Sequence, residues 1–95
     1  MRKIFPLKAP NKADARVVES VKHEVRKYVR RERRKALPED FDEWTFRCQA
    51  GATPDSATRC ELKEIGAAID AVANAGGPEI WIEVIAEPGQ RRPAK

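Results

Sequence analysis

Valines recur through the first third of the chain at the three- and four-residue spacing of a helix. At about 100° per residue, Val17, Val18, Val21, Val25, Tyr28, Val29 and Ala36 fall within roughly a third of the circumference. That stripe is the one a helix packed on a core presents. The pattern predicts one long amphipathic helix over Asp14–Leu37. Asp14 in the first turn and the basic cluster near the end both suit the helix dipole. Leu37-Pro38 is the expected stop, because the residue before proline disfavours the α region.

Elsewhere the period shortens to two. Arg2–Lys8 (RKIFPLK) is apolar at its centre and predicts a first strand, with Pro6, which lacks an amide donor, at an edge or a strand end. After the polar turn Pro38-Glu39-Asp40, the residues Trp44, Phe46, Cys48 and Ala50 alternate with Thr45, Arg47 and Gln49. Such alternation predicts a strand with one buried and one wet face. Glu79–Glu87 (EIWIEVIAE) predicts the last strand, with Ile80, Ile82, Val84 and Ala86 on one face and Trp81, Glu83 and Ile85 on the other. Pro88-Gly89 is expected to break it. Residues 1–89 then form a single domain, and Gln90–Lys95 a flexible basic tail.

The segment after Gly51 admits two readings. Thr53-Pro54-Asp55 has the form of a helix start, and Thr58–Glu61 that of a capping box, which together would give one helix over Pro54–Ala75 and a β-α-β-α-β chain. Alternatively Gly51–Ser56 is a hairpin loop, Ala57–Lys63 a strand with Cys60 and Leu62 inward, and the helix begins near Glu64. The hairpin is favoured. It yields an α+β two-layer sandwich, β-α-β-β-α-β and ferredoxin-like, with two helices on one face of a sheet of about four strands. The all-parallel alternative would leave one sheet face wet, which parallel sheets seldom tolerate. Ala75-Gly76-Gly77-Pro78 ends the second helix, with glycine available for a left-handed cap.

Charge sharpens the picture. The 95 residues carry a net +4, but the distribution is uneven. The predicted helix holds 9 Lys/Arg against 4 Asp/Glu, whereas residues 39–87 hold 3 basic and 11 acidic side chains. Opposite the valine stripe stand Arg16, Lys22, His23, Arg26, Lys27, Arg30, Arg31, Arg33, Arg34 and Lys35. The run Arg30–Lys35 has 5 cations to 1 anion and cannot neutralise itself. A helix of this kind can line a phosphate backbone and gain from counterion release. The acidic half would repel phosphate unless the fold turns it away, and the same dipole could drive docking to an acidic protein or a second copy.

Composition excludes several classes. Hydrophobic residues at 41% and charged residues at 36% fit a soluble globule rather than a disordered chain. No apolar run approaches a membrane span, and the N-terminus has no apolar signal-peptide core. Two cysteines are too few for a disulfide framework, so a cytoplasmic location is expected. Cys48 and Cys60 are expected to be small buried thiols, roughly opposite each other across the hairpin. A redox-sensitive bridge is the less favoured alternative, since its geometry is strict. The lone His23 lies on the solvated face, so no nucleophile–base pair is apparent. Cysteine and histidine spacing does not match a structural zinc site, and the acidic turn Glu39, Asp40, Asp42, Glu43 follows no calcium-loop pattern. No cofactor is expected. Trp81 and Ile85 should lie on the open sheet face with Arg47 near, as a base-stacking platform or a dimer patch.

Several stretches resemble a family of short, uncharacterised bacterial proteins. They are Lys3-Ile4-Phe5-Pro6-Leu7, Val21-Lys22-His23-Glu24-Val25-Arg26-Lys27-Tyr28, Arg31–Lys35 with Leu37-Pro38, the Trp44-x-Phe46-x-Cys48 strand, and Glu83–Gly89. The resemblance covers nearly the whole chain and implies a bacterial, cytoplasmic, single-domain protein. It brings no catalytic residue and no ligand.

The expectation is therefore a non-catalytic protein that associates with RNA or ribosomal surfaces rather than with specific DNA sequences. Lys22, Arg26, Lys27, Arg30, Arg31, Arg33 and Arg34 would contact phosphates, which positions a partner without reading sequence. The alternative is an interaction module for an acidic partner or for self-association through the sheet face. A small redox or other enzyme using Cys48 and Cys60 ranks third.

Overall fold

A computed structural model of the chain describes residues 1–90. The elements follow the order strand, helix, strand, strand, helix, strand: β1 (Arg2–Pro6), α1 (Asp14–Arg33), β2 (Glu43–Gly51), β3 (Thr58–Cys60), α2 (Ile65–Asn74) and β4 (Glu79–Gly89), with a short 3₁₀ turn at Leu62–Glu64 before α2. The fold is α+β, with a four-stranded sheet ordered β1-β4-β2-β3 and antiparallel at every pairing.

That order corrects the ferredoxin-like expectation. In the ferredoxin-like arrangement the first and third strands are central; here β4 and β2 are, with β1 and β3 at the edges. The reason lies in apolar content. β4 places Ile80, Ile82 and Val84 entirely out of solvent and spans nine residues of pairing with β2, from Glu43↔Gly89 to Gly51↔Trp81. β3, with the polar sequence Thr-Arg-Cys, pairs over only three residues and stays at the rim.

The hairpin reading of residues 51–60 holds, and the long second helix does not form. Thr53 and Ser56 close the loop between β2 and β3 through reciprocal bonds, the Thr53 amide donating to Ser56 Oγ and the Ser56 amide to Thr53 Oγ1. The threonine thus satisfies a turn rather than a helix start. The Glu61 amide donates to Glu64 Oε1 and tightens the turn into α2, so the capping box sits three residues later than Thr58–Glu61 and β3 is shorter than Ala57–Lys63. Gly76, with φ +84°, supplies the left-handed residue after α2.

Two other boundaries move. α1 ends at Arg33, not Leu37, and Ala36 is exposed beyond it. Its last turn tightens as the Arg34 amide bonds Arg31 O, and the Trp44 indole Nε1 donates to Lys35 O at 3.0 Å. β4 runs through Pro88 to Gly89. β1 pairs only with Glu79–Glu83, so Pro88 has a strand on one side only and its missing donor is tolerated. Pro6 ends β1 at the sheet edge, as expected.

The core lies between the helices and one face of the sheet. Val18, Val21, Val25 and Val29 of α1 and Ile65 and Ile69 of α2 pack with Phe5, Cys48, Ala50, Ile80, Ile82 and Val84. The other sheet face carries the Arg2–Glu83 ion pair and Arg47 3.6 Å from Glu87. Among the described residues, no helix is long and apolar enough to cross a membrane. The expected tail falls outside the described residues except for Gln90, whose amide donates to Asp40 O at 2.8 Å.

Candidate functional site

The seven cations expected to contact a partner all belong to α1 or its C-terminal cap, but α1 spreads them over two surfaces. Lys22, Arg26, Arg30, Arg33 and Arg34 line a groove of about 590 Å³ between α1 and the start of α2. Lys27 and Arg31 are exposed outside it; Arg31 sits over the Tyr28 ring, 5.6 Å from its centroid. The split follows from helical spacing. Positions 22, 26, 30 and 33 share the face beside the valine stripe, while 27 and 31 lie further round.

The groove is a feature the sequence did not disclose. Of its apolar side chains only Leu62 is part-exposed, over Val25, Val29, Ile65 and Ile69 buried in the core beneath, and Lys63 adds a cation from the α2 side. Gly66 leaves its wall open, since a β-carbon there would meet only Lys22 Cε, at 4.0 Å. Lysine and arginine stems can lie along such an apolar surface while their charged heads remain wet. In the sequence its only trace is the cation Lys63 next to Leu62, and the 3₁₀ turn that brings both to the groove depends on tertiary packing.

The cations differ in their partners. Lys22 donates to Asp70 at 2.9 Å and lies 3.6 Å from Glu19; the Asp70 bond holds its ammonium above the ordinary lysine value despite partial burial. Lys35 binds Glu32 at 2.7 Å and holds that carboxyl below its usual range. Arg33 stands over Phe46, 5.4 Å from the ring centroid, a cation–π contact that braces the end of α1 on β2. Among the described residues, no carboxylate lies within ion-pair distance of Arg26, Arg30, Arg34 or Lys63. Those four charges are available to an anion.

The sheet-face residues are less concentrated. Trp81 and Ile85 do lie on the face away from the helices, both half-buried. Arg47 stands across from Ile85 rather than Trp81, and its guanidinium is engaged by Glu87. Trp81 instead has Ile4 as its cross-strand neighbour, 49% exposed.

Cys48 and Cys60 are register partners across β2 and β3, as the loop position implied, and both are free thiols. Burial pushes Cys48 up to about 11 and raises Cys60. Suppressed thiolates make poor nucleophiles and poor metal ligands. His23 is exposed, and among the described residues no group of acidic, histidine or cysteine side chains is assembled to hold a metal.

No curated protein and no solved structure matches the chain. A family profile does, over residues 1–95, under the description "Family of unknown function (DUF6172)". The chain belongs to that family.

Proposed function

We propose that the protein is a non-catalytic RNA-associated protein whose α1 surface binds phosphate backbones on free or ribosomal RNA. One observation carries this reading: Arg26, Arg30 and Arg34 repeat every four residues, all exposed, with no described carboxylate to neutralise them. Residues so spaced on a helix lie about 6 Å apart along its axis, a row suited to a polyanion. Lys27 and Arg31 widen the row outward. Three of the acidic side chains are already engaged elsewhere. Glu83 and Glu87 sit on the far sheet face, where Arg2 and Arg47 take their charge, and Asp70 is engaged by Lys22.

Backbone contacts of this kind supply affinity without sequence selectivity. If Arg26, Lys27, Arg30, Arg31 and Arg34 each meet a phosphate, raising salt from about 50 to 200 mM should weaken binding to single-stranded RNA by about 100-fold. Fluorescence anisotropy at the two salt concentrations measures this directly. The combined Arg26→Glu, Arg30→Glu and Arg34→Glu variant should lose binding. Salt-insensitive binding, or equal binding by the variant, sinks the proposal. A second reading, self-association, is favoured by the exposed Ile4 beside Trp81. It predicts a concentration-dependent mass that Trp81→Ala abolishes.

A further inference from the structure

β1 closes one side of the sheet, and among the described residues no strand lies beyond it. Two bonds at its start fix which way its backbone faces. The Met1 amine donates to Val84 O at 2.7 Å, and the Val84 amide returns a bond to Met1 O at 2.8 Å, so these residues form a hydrogen-bonded pair. Backbone polar groups alternate sides along an antiparallel strand. Lys3 and Phe5 therefore also turn their amides and carbonyls to β4, while Arg2, Ile4 and Pro6 turn theirs outward. The outer edge offers amides at Arg2 and Ile4 and carbonyls at all three positions, since Pro6 has no donor.

Sheet edges are ordinarily blunted by charge, by proline or by a covering element. Here Arg2, Lys3, Ile4 and Pro6 are all exposed, and Ile4 is apolar. It lies opposite Trp81 on the open sheet face. Because its own polar groups point outward, the two form a non-hydrogen-bonded pair, the type with the closer side chains. The edge is complementary to itself in one antiparallel register. With Ile4 opposite Ile4 of a second copy, Arg2 falls opposite Pro6 and Lys3 opposite Phe5. The two Ile4 residues then exchange a pair of bonds, and each Arg2 amide reaches a Pro6 carbonyl. The missing proline donors lie at the two ends, and no cation opposes another. A slip of two residues one way sets Lys3 against Lys3, a destabilising like-charge pair. A slip the other way sets Ile4 against Pro6, which cannot return its bond.

From this self-complementarity we infer that β1 is a pairing edge for a second copy of the chain, joining two sheets into one continuous antiparallel sheet about a two-fold axis at Ile4. Pairing of this kind keeps both open faces on the same side. A row of Trp81 and Ile4 from one copy and Ile4 and Trp81 from the other then crosses the junction. Main-chain bonds supply the attraction and the aligned apolar side chains add to it, as in other cases of strand addition. One strand pair makes an interface below about 1,000 Å², so the dimer is a weak one. The inference rests on the self-association reading and gives it a geometry. It uses β1 and the open sheet face, not α1, and is independent of the RNA reading.

The test follows the full chain by sedimentation velocity and by amide hydrogen exchange in NMR, each at about 30 μM and about 1 mM, a span suited to a small interface. The mass should rise from 10.7 kDa towards twice that value. Over the same span the Ile4 amide should exchange at least about fivefold more slowly, while Lys3 and Phe5, bonded to β4, are protected at both concentrations. Ile4→Lys sets two ammonium groups against each other at an exposed position. That variant should keep the monomer mass throughout, and unchanged protection at Phe5 would show that its fold is intact. A parent mass that stays constant overturns both this pairing and the self-association reading, and leaves the edge to a strand from another protein. A rising mass without slower exchange at Ile4 overturns the edge pairing alone and leaves association through the sheet face. An Ile4→Lys variant that dimerises as well as the parent overturns the pairing too.

Discussion

Cys48 shows how much a single buried side chain can reveal. It is 1% exposed, and its thiol is pushed up to about 11 because the thiolate would lose its water. In the unfolded chain the same thiol ionises at its ordinary value, so between the two the native state holds more protons and stability falls as pH rises. Lys22 acts in the same direction. Its folded value is raised by Asp70, so that pair is fully stabilising below the ordinary lysine value and lost as pH climbs through the raised one. Denaturant unfolding at pH 8 and pH 11 should therefore differ by about 2 kcal/mol or more, and Cys48→Ala should remove much of that difference. Iodoacetamide at pH 8 should modify the half-buried Cys60 well before Cys48; equal rates would mean that Cys48 is not shielded. Cysteine alternation with polar neighbours in β2 made this burial legible from sequence. The groove-facing role of Leu62 was not, because it depends on a turn set by the Glu61–Glu64 pair.

At the scale of elements, periodicity succeeded where one face repeats and failed where a partner decides. The valine stripe identifies α1 and its buried face without help from any other segment. Its end does not follow from local spacing, since the Trp44 indole reaches back nine residues to take Lys35 O. The basic residues were likewise visible as a set, yet their division between groove and outer surface required α2 to be in place. Two glycines separate close packing from open space. A β-carbon at Gly51 would lie 2.6 Å from the Ala57 backbone, whereas at Gly66 it meets only a flexible lysine stem. Gly51→Ala should destabilise by about 1–3 kcal/mol. Gly66→Ala should stabilise by about 0.5–1 kcal/mol, as alanine in place of glycine does within a helix. Thermal melts of the two variants against the parent should move in opposite directions.

For the whole molecule, element order could be read from the sequence but strand order could not. Alternation assigns each strand a wet and a dry face and says nothing about which strands are neighbours. The outcome concentrates burial in β4, so Ile82→Ala at its centre should cost about 2–5 kcal/mol, while Ile4→Ser on the exposed side of β1 should stay within about 0.5 kcal/mol. Chemical denaturation of both variants checks the contrast; equal losses would mean that β4 does not form the centre of the core. The position of β4 also has a consequence in time. As a ribosome delivers the chain, β1 emerges first yet has no strand to pair with until β4, some eighty residues later, has followed it. Until then only the β2–β3 hairpin and the helices have formed partners, and a lone hairpin is marginal in water. Assembly must therefore wait for the last strand. A nascent chain stalled before Glu79 should remain open to proteases along its whole length, and protection should arrive in one step once β4 is free to enter the sheet.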